Sequence, residues 1–194
     1  MTPKRRGRLA AAEATEAHVR AFFAGHDVEV VDYDLGFGRR RAVPDLRIIV
    51  VGPGPRSSTW AYVTAGCWSA VNQDGHGIEF VMTSKQRESA VVDLIAMVAY
   101  YHAAHHLDHW HTMPIGGPWL PGSACDHLLV SLPYLHGPDL EACELPAGHA
   151  RLLWLLPITA AEKAFRQQHD TEALEQRFDD AGIDPTDPLR ASVV

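Results

Sequence analysis

Ser84-Lys-Gln-Arg-Glu-Ser-Ala-Val-Val-Asp-Leu-Ile-Ala-Met-Val-Ala-Tyr-Tyr-His102 is the stretch on which the fold turns. Val91, Leu94, Ile95 and Val98 recur at three- and four-residue spacings, which puts them on one face of a helix. Ser84 stands where an N-cap is expected, since its hydroxyl can accept an unsatisfied N–H of the first turn. Strand-like segments lie on both sides of this helix, so it is expected to sit centrally against a sheet built from both halves of the chain.

Working toward the N-terminus, Ile78 to Thr83 and Thr59 to Ala65 read as strands separated by the polar turn Asn72-Gln73-Asp74-Gly75. Leu46 to Val51 is an apolar, β-branched run closed by Gly52-Pro53-Gly54-Pro55. Val28, Val30 and Tyr33 alternate with Glu29, Asp32 and Asp34, the pattern of a half-exposed strand. The connections among these strands are too short for parallel crossovers, which predicts antiparallel pairing. Leu9 to Ala24 carries Ala10, Ala14, Ala17, Ala21 and Phe22 at helical spacing, with Gly25 as its stop.

Toward the C-terminus, Pro114, Gly116, Gly117 and Pro118 predict irregular backbone across Leu107 to Leu120. His127 to Leu132 and Arg151 to Leu156 are short, dense apolar runs, as in buried strands. Thr159-Ala-Ala-Glu162 has capping-box spacing and opens a helix. Leu174 and Phe178 anchor another, ended by Gly182 and Pro185. The expected architecture is a single α+β domain, with a mostly antiparallel mixed sheet packed against a central helix and C-terminal helices. A basic segment and helix over residues 1–27 precede the domain proper, residues 28–194.

The chain has 194 residues, 24 acidic against 17 basic, and a net charge of -7 with histidine neutral. That composition excludes disordered, collagen-like and disulfide-rich classes. No apolar run is long enough to span a membrane, and no apolar core of a signal peptide follows the basic start. Cys67, Cys125 and Cys143 form no C-x-x-C motif, so a reduced, cytoplasmic protein is expected. The basic clusters Lys4-Arg5-Arg6-Arg8 and Arg39-Arg40-Arg41 read as a frayed end and a solvated loop, and nucleic acid is not the expected partner.

Histidine is the odd count, with twelve copies. His102, His105, His106, His109 and His111 crowd one passage. On a continuing helix His102, His105 or His106, and His109 share one face, and His102, His105, His109 and His111 are the candidate ligands for a divalent metal such as zinc, giving a metal-binding protein or metal-dependent enzyme. Alternatively, the same side chains cap the helix C-terminus and brace the loop, with no metal involved. No G-x-S-x-G elbow occurs, and Gly36-Phe37-Gly38 lacks the third glycine of a phosphate loop. No enzyme motif emerges. Trp110 and Trp119 share the irregular loop with Met113, and they either pack over the sheet or present an apolar rim to a partner. Trp60 and Trp154 fall inside strand patterns and are expected in the core.

Trp60-Ala-Tyr-Val-Thr-Ala-Gly66, Glu79-Phe-Val-Met-Thr-Ser84, His105-His-Leu-Asp108, His111-Thr-Met-Pro-Ile-Gly116, Pro118-Trp-Leu-Pro-Gly122 and Leu128-Leu-Val-Ser-Leu-Pro-Tyr134 occur in that order. With Leu156-Pro-Ile-Thr-Ala-Ala-Glu162, Leu174-Glu175 and Asp187 to Val194, they resemble the suppressor of fused family, bacterial stand-alone type, over roughly residues 28–194. The resemblance implies a non-catalytic α+β protein-binding domain without catalytic residues to carry over. Animal relatives hold an extended peptide of a transcription factor partly by strand pairing, and they carry a second domain where this chain is about one domain long. Bacterial relatives look like immunity proteins that neutralise a toxin by direct binding. The expected partner is therefore another protein, a toxin in the sharpest form. Trp110, Met113, Trp119 and Tyr134 are its expected contacts.

Overall fold

Thr2 begins the fold. Its hydroxyl accepts the Arg5 N–H at 3.4 Å, and Pro3 follows with φ already suited to a helix, so helix α1 (Pro3–Phe22) starts well before Leu9. The first basic cluster is thus helical rather than frayed, and Arg8 reaches Asp45 at 3.4 Å. The computed structural model describes residues 2–33 and 42–194; the Arg39–Arg41 cluster and Gly36-Phe37-Gly38 lie outside the described residues.

Next come β1 (Val28–Asp32), β2 (Arg47–Val51), β3 (Trp60–Ala65), the single turn α2 (Cys67–Ala70), β4 (Asn72–Gln73) and β5 (His76–Ser84). Helix α3 (Ser89–His105) then leads to β6 (Thr112–Pro114), β7 (Cys125–Ser131), the short α4 (Pro138–Glu141), β8 (Ala142–Leu145) and β9 (Gly148–Thr159). Helices α5 (Ala160–Gln168) and α6 (Thr171–Ala181) follow. The strands form one sheet in the order β1-β2-β3-β5-β9-β7-β6, with β4 added on β5 and β8 on β9. Among the described residues all pairs are antiparallel except β5 with β9, whose register runs from His76↔His149 to Val81↔Trp154. The four N-terminal strands β1, β2, β3 and β5 pair antiparallel, as their short connections require, while the parallel pair needs a long crossover, which holds α3, β6, β7, α4 and β8.

Alternation along the strands decides the layers. Ile48, Val50, Tyr62, Phe80, Met82, Leu128, Val130, Leu153 and Leu155 face α3 in one core. Ile49, Val51, Ala61, Val63, Val81 and Leu152 face α1 in a second. Leu129, Trp154, Leu156 and Ile158 share a third with Leu174 and Phe178 of α6. Helices cover both faces, which is why β2 and β9 read as unbroken apolar runs.

Ser84 does not cap α3. It is spent on β5, paired with Trp60, and its hydroxyl donates to the Gln86 carbonyl. Glu88 takes the cap position without a side-chain bond. The capping box at Thr159 and Glu162 forms as expected, and Gly182 ends α6 at φ 56°. Among the described residues, no helix is long and apolar enough to cross a membrane.

One buried carboxylate organises the middle of the sheet. Glu79 accepts from the Thr64 hydroxyl at 2.6 Å and from the N–H groups of Gly66, Cys67 and Trp68 at 2.9, 3.2 and 3.0 Å. The turn after β3 is thereby tied to β5. Burial raises this carboxyl above its ordinary range against those donors.

Candidate functional site

After β7 the chain bends at Pro133, whose carbonyl accepts the N–H groups of His136 and Gly137, each at 2.8 Å. The bend pushes Tyr134 and Leu135 out of the fold, 59% and 48% exposed. They stand at the edge of a cleft of about 450 Å³. Its floor is Trp154 and Leu156 of β9 with Phe178 of α6, and Ile183 and Pro185 form its far end. The helix lies here because Leu174 and Phe178 pack down on Leu129, Trp154 and Ile158. That same rotation leaves Glu175 and Asp179 at the rim, one helical turn apart.

Among the described residues the lining includes these two carboxylates and no Lys, Arg or His. The Ser131 hydroxyl donates to Glu175 at 3.2 Å. Burial lifts Glu175 above the usual carboxylate range despite that bond. Burial, followed by the nearby Glu175 charge, also pushes the Tyr134 phenol up. Trp154 is buried, and its indole N–H has no hydrogen-bond partner among the described residues. An apolar floor with a few polar groups at its margin suits recognition of a bulky side chain.

The four expected contact residues separate into two pairs. Trp110 is 43% exposed and stands over a shallow hollow with Arg166, Gln167, Asp170, Thr171 and Glu172, at the N-terminal end of the same helix α6. Tyr134 lies further along it. Met113 and Trp119 are instead buried in the α3-side core. The reason is a strand within the stretch whose prolines and glycines predict irregular backbone: β6 pairs with β7 and folds the loop onto the sheet, where the Trp119 backbone N–H donates to the Cys125 carbonyl at 3.0 Å. Leu135 was missed. Its signal was an apolar residue placed past a strand-ending proline, in a stretch with no partner pattern.

The histidine passage does not stay helical. His106 takes a left-handed conformation (φ 51°) and closes α3, and Trp110 turns the chain again (φ 70°). His102 packs inward, edge-on to Phe80 at 5.1 Å, while His105 stacks on Tyr101 at 4.2 Å. His109 lies against Trp110 at 4.7 Å, and His111 Nδ1 accepts the Asp108 N–H at 3.1 Å. Among the described residues, no group of three or more His, Cys, Asp or Glu is placed to hold a metal ion, and the expected set His102, His105, His109 and His111 is not brought together as one. Burial, then His106, pushes His102 down to about 4, so it carries no charge to the helix end at neutral pH. The structure instead joins two histidines far apart in sequence. His76 and His149 lie on paired strands with ring nitrogens 2.9 Å apart, beside a hollow that His102, His106 and His111 also line.

All three cysteines are buried and free. Burial raises each thiol, Cys143 to about 11, so none presents a thiolate nucleophile at neutral pH.

The family model described as "Suppressor of fused protein" matches residues 43–191. A crystal structure of a suppressor of fused homolog from Neisseria gonorrhoeae superposes with a TM-score of 0.83 and 32% identity, over 96% of this chain and 98% of that one. The Sufu–Fu complex gives 0.71 at 13% identity, over 95% and 92%. Drosophila Suppressor of Fused gives 0.60 at 14% identity, over 95% of this chain and 51% of that one. The latter two share the fold. No curated protein matches the sequence.

Proposed function

The chain belongs to the suppressor of fused protein family, and from that premise we propose that it is a protein-binding domain acting by association, with its contact surface centred on the Tyr134–Leu135 cleft. The observation that carries this reading is two large side chains held in solvent beside a ready apolar hollow. Adjacent exposed apolar groups of this kind mark interaction sites more often than stray surface residues do. A relative of the same fold has been solved as the Sufu–Fu complex, which supports association as the activity. Trp110, along the same helix, extends the surface.

The partner in this reading is a protein toxin that the chain neutralises by direct binding in the cytoplasm. The net charge of -7 supports a basic partner, because complementary potentials speed encounter. Three buried free thiols fit a reducing compartment. Native co-purification of the wild-type chain and of Leu135→Asp tests the proposal. The expected result is one stoichiometric protein retained by the wild type and absent from the variant, with cells making that protein protected only by the wild type. A wild-type chain that recovers no partner, or a partner held equally by Leu135→Asp, overturns it.

A further inference from the structure

Resting on that reading of the cleft, we infer that its occupant is a segment of the partner protein that presents a bulky aliphatic or aromatic side chain next to a Lys or Arg. The apolar side chain fills the hollow over Trp154, Leu156 and Phe178, and the cation meets Glu175 and Asp179. Charge complementarity supports this choice. The two carboxylates stand on one face of α6, and neither has a basic partner among the described residues. Their neighbours are spoken for: Lys85 holds Asp184 and Asp187 at 2.9 and 3.2 Å, and Arg151 holds Glu141 at 2.7 Å. The fold therefore leaves uncompensated negative charge at the edge of this apolar cleft.

Glu175 is also partly withdrawn from water, with Ser131 as a neutral donor. A carboxylate in such a setting gains more from an incoming cation than a fully solvated one does. The shallow hollow beneath Trp110 differs, since Arg166 already lines it next to Asp170 and Glu172. A segment lying along α6 would thus place its apolar-basic pair at Tyr134 and not at Trp110. A cleft of about 450 Å³ accommodates one large side chain and its flanks.

The test is selection of a random peptide display library on the intact chain, followed by calorimetry of synthetic selected peptides. They are titrated into the wild type, Glu175→Gln/Asp179→Asn and Leu135→Asp, each first shown to keep its circular dichroism and melting temperature. The expected peptides pair an apolar residue with an adjacent Lys or Arg. They bind the double variant about tenfold or more weakly, weaken with added salt, and fail on Leu135→Asp. Peptides that fail on Leu135→Asp but lack a basic residue, or bind the double variant unchanged, overturn the inference and leave the cleft reading standing. Selected peptides indifferent to all three substitutions, or no enrichment above background, overturn both.

Discussion

Arg190 lays its two terminal guanidinium nitrogens on the Glu162 carboxylate, each at 2.7 Å, with the carboxylate fully shielded from solvent. The same carboxylate accepts the Thr159 N–H at 2.8 Å and the Val193 N–H at 3.1 Å. One side chain therefore closes the α5 cap and fastens the C-terminal tail. Removing its cation leaves a buried charge with only backbone donors. Arg190→Ala is expected to cost about 3–5 kcal/mol in urea unfolding, whereas Thr159→Ala costs about 1 kcal/mol as a lost cap. Equal losses from the two would contradict this ranking.

Acid sensitivity should come mostly from two histidines. Burial pushes both His102 and His136 down to about 4. The unfolded chain takes up these protons near pH 6.5. Stability contributed by the neutral rings is complete above that pH and is lost as pH falls toward 4, by an amount of the order of 3 kcal/mol for the deeply buried His102. His102→Leu should remove roughly half of this slope, and the double variant with His136→Leu most of it, with His109 keeping a smaller share because burial lowers it too. Denaturant midpoints taken between those pH values check this.

Glu175 titrates with the opposite sign. Its carboxyl is raised by burial, so the folded state holds the proton longer than the unfolded one. Its contribution is full below the ordinary carboxylate pKa and is lost as pH rises through the raised value. Glu175→Gln should therefore flatten this part of the profile, leaving neutral-pH stability unchanged or slightly higher. A variant clearly less stable at neutral pH would show that the carboxylate is a structural need and not a surface left for a partner.

Two hairpin turns meet at glycine. A Cβ on Gly148 would fall 2.0 Å from the Gly75 carbonyl oxygen, at φ 139°. Gly148→Ala is expected to destabilise by more than about 2 kcal/mol. Gly117 has open space around it, and Gly117→Ala should be neutral or up to about 1 kcal/mol stabilising. Thermal unfolding of the pair separates the two cases.

Much of this architecture is legible where a residue's neighbours in sequence are also its neighbours in space. The α3 stripe, the capping box at Thr159 and the stop at Gly182 are local, and each forms. β8 is different: Ala142-Cys-Glu-Leu145 is too short to signal a strand, and it exists because Gly148–Arg151 pairs with it. The burial of Met113 and Trp119 depends on β6 finding β7, so the loop's aromatic content alone left two readings open. His76 meets His149 through a pairing across most of the crossover, which no local pattern encodes. At the cleft, Tyr134 was reachable from sequence, but Glu175 and Asp179 become rim groups only once Phe178 fixes the rotation of α6.

The parallel pairing of β5 with β9 has a consequence for how the protein is made. β5 finds its partner only when His149 to Trp154 has left the ribosome. Until then the antiparallel half-sheet β1-β2-β3-β5 presents β5 as an open edge, with Phe80, Val81 and Met82 along it. Contacts this distant in sequence are slow to form, and open apolar edges recruit other chains. The nascent chain therefore passes through a stage open to aggregation, which β9 ends when it docks on β5. Substitutions in β9 are for that reason expected to act on yield during synthesis as strongly as on the stability of the finished protein.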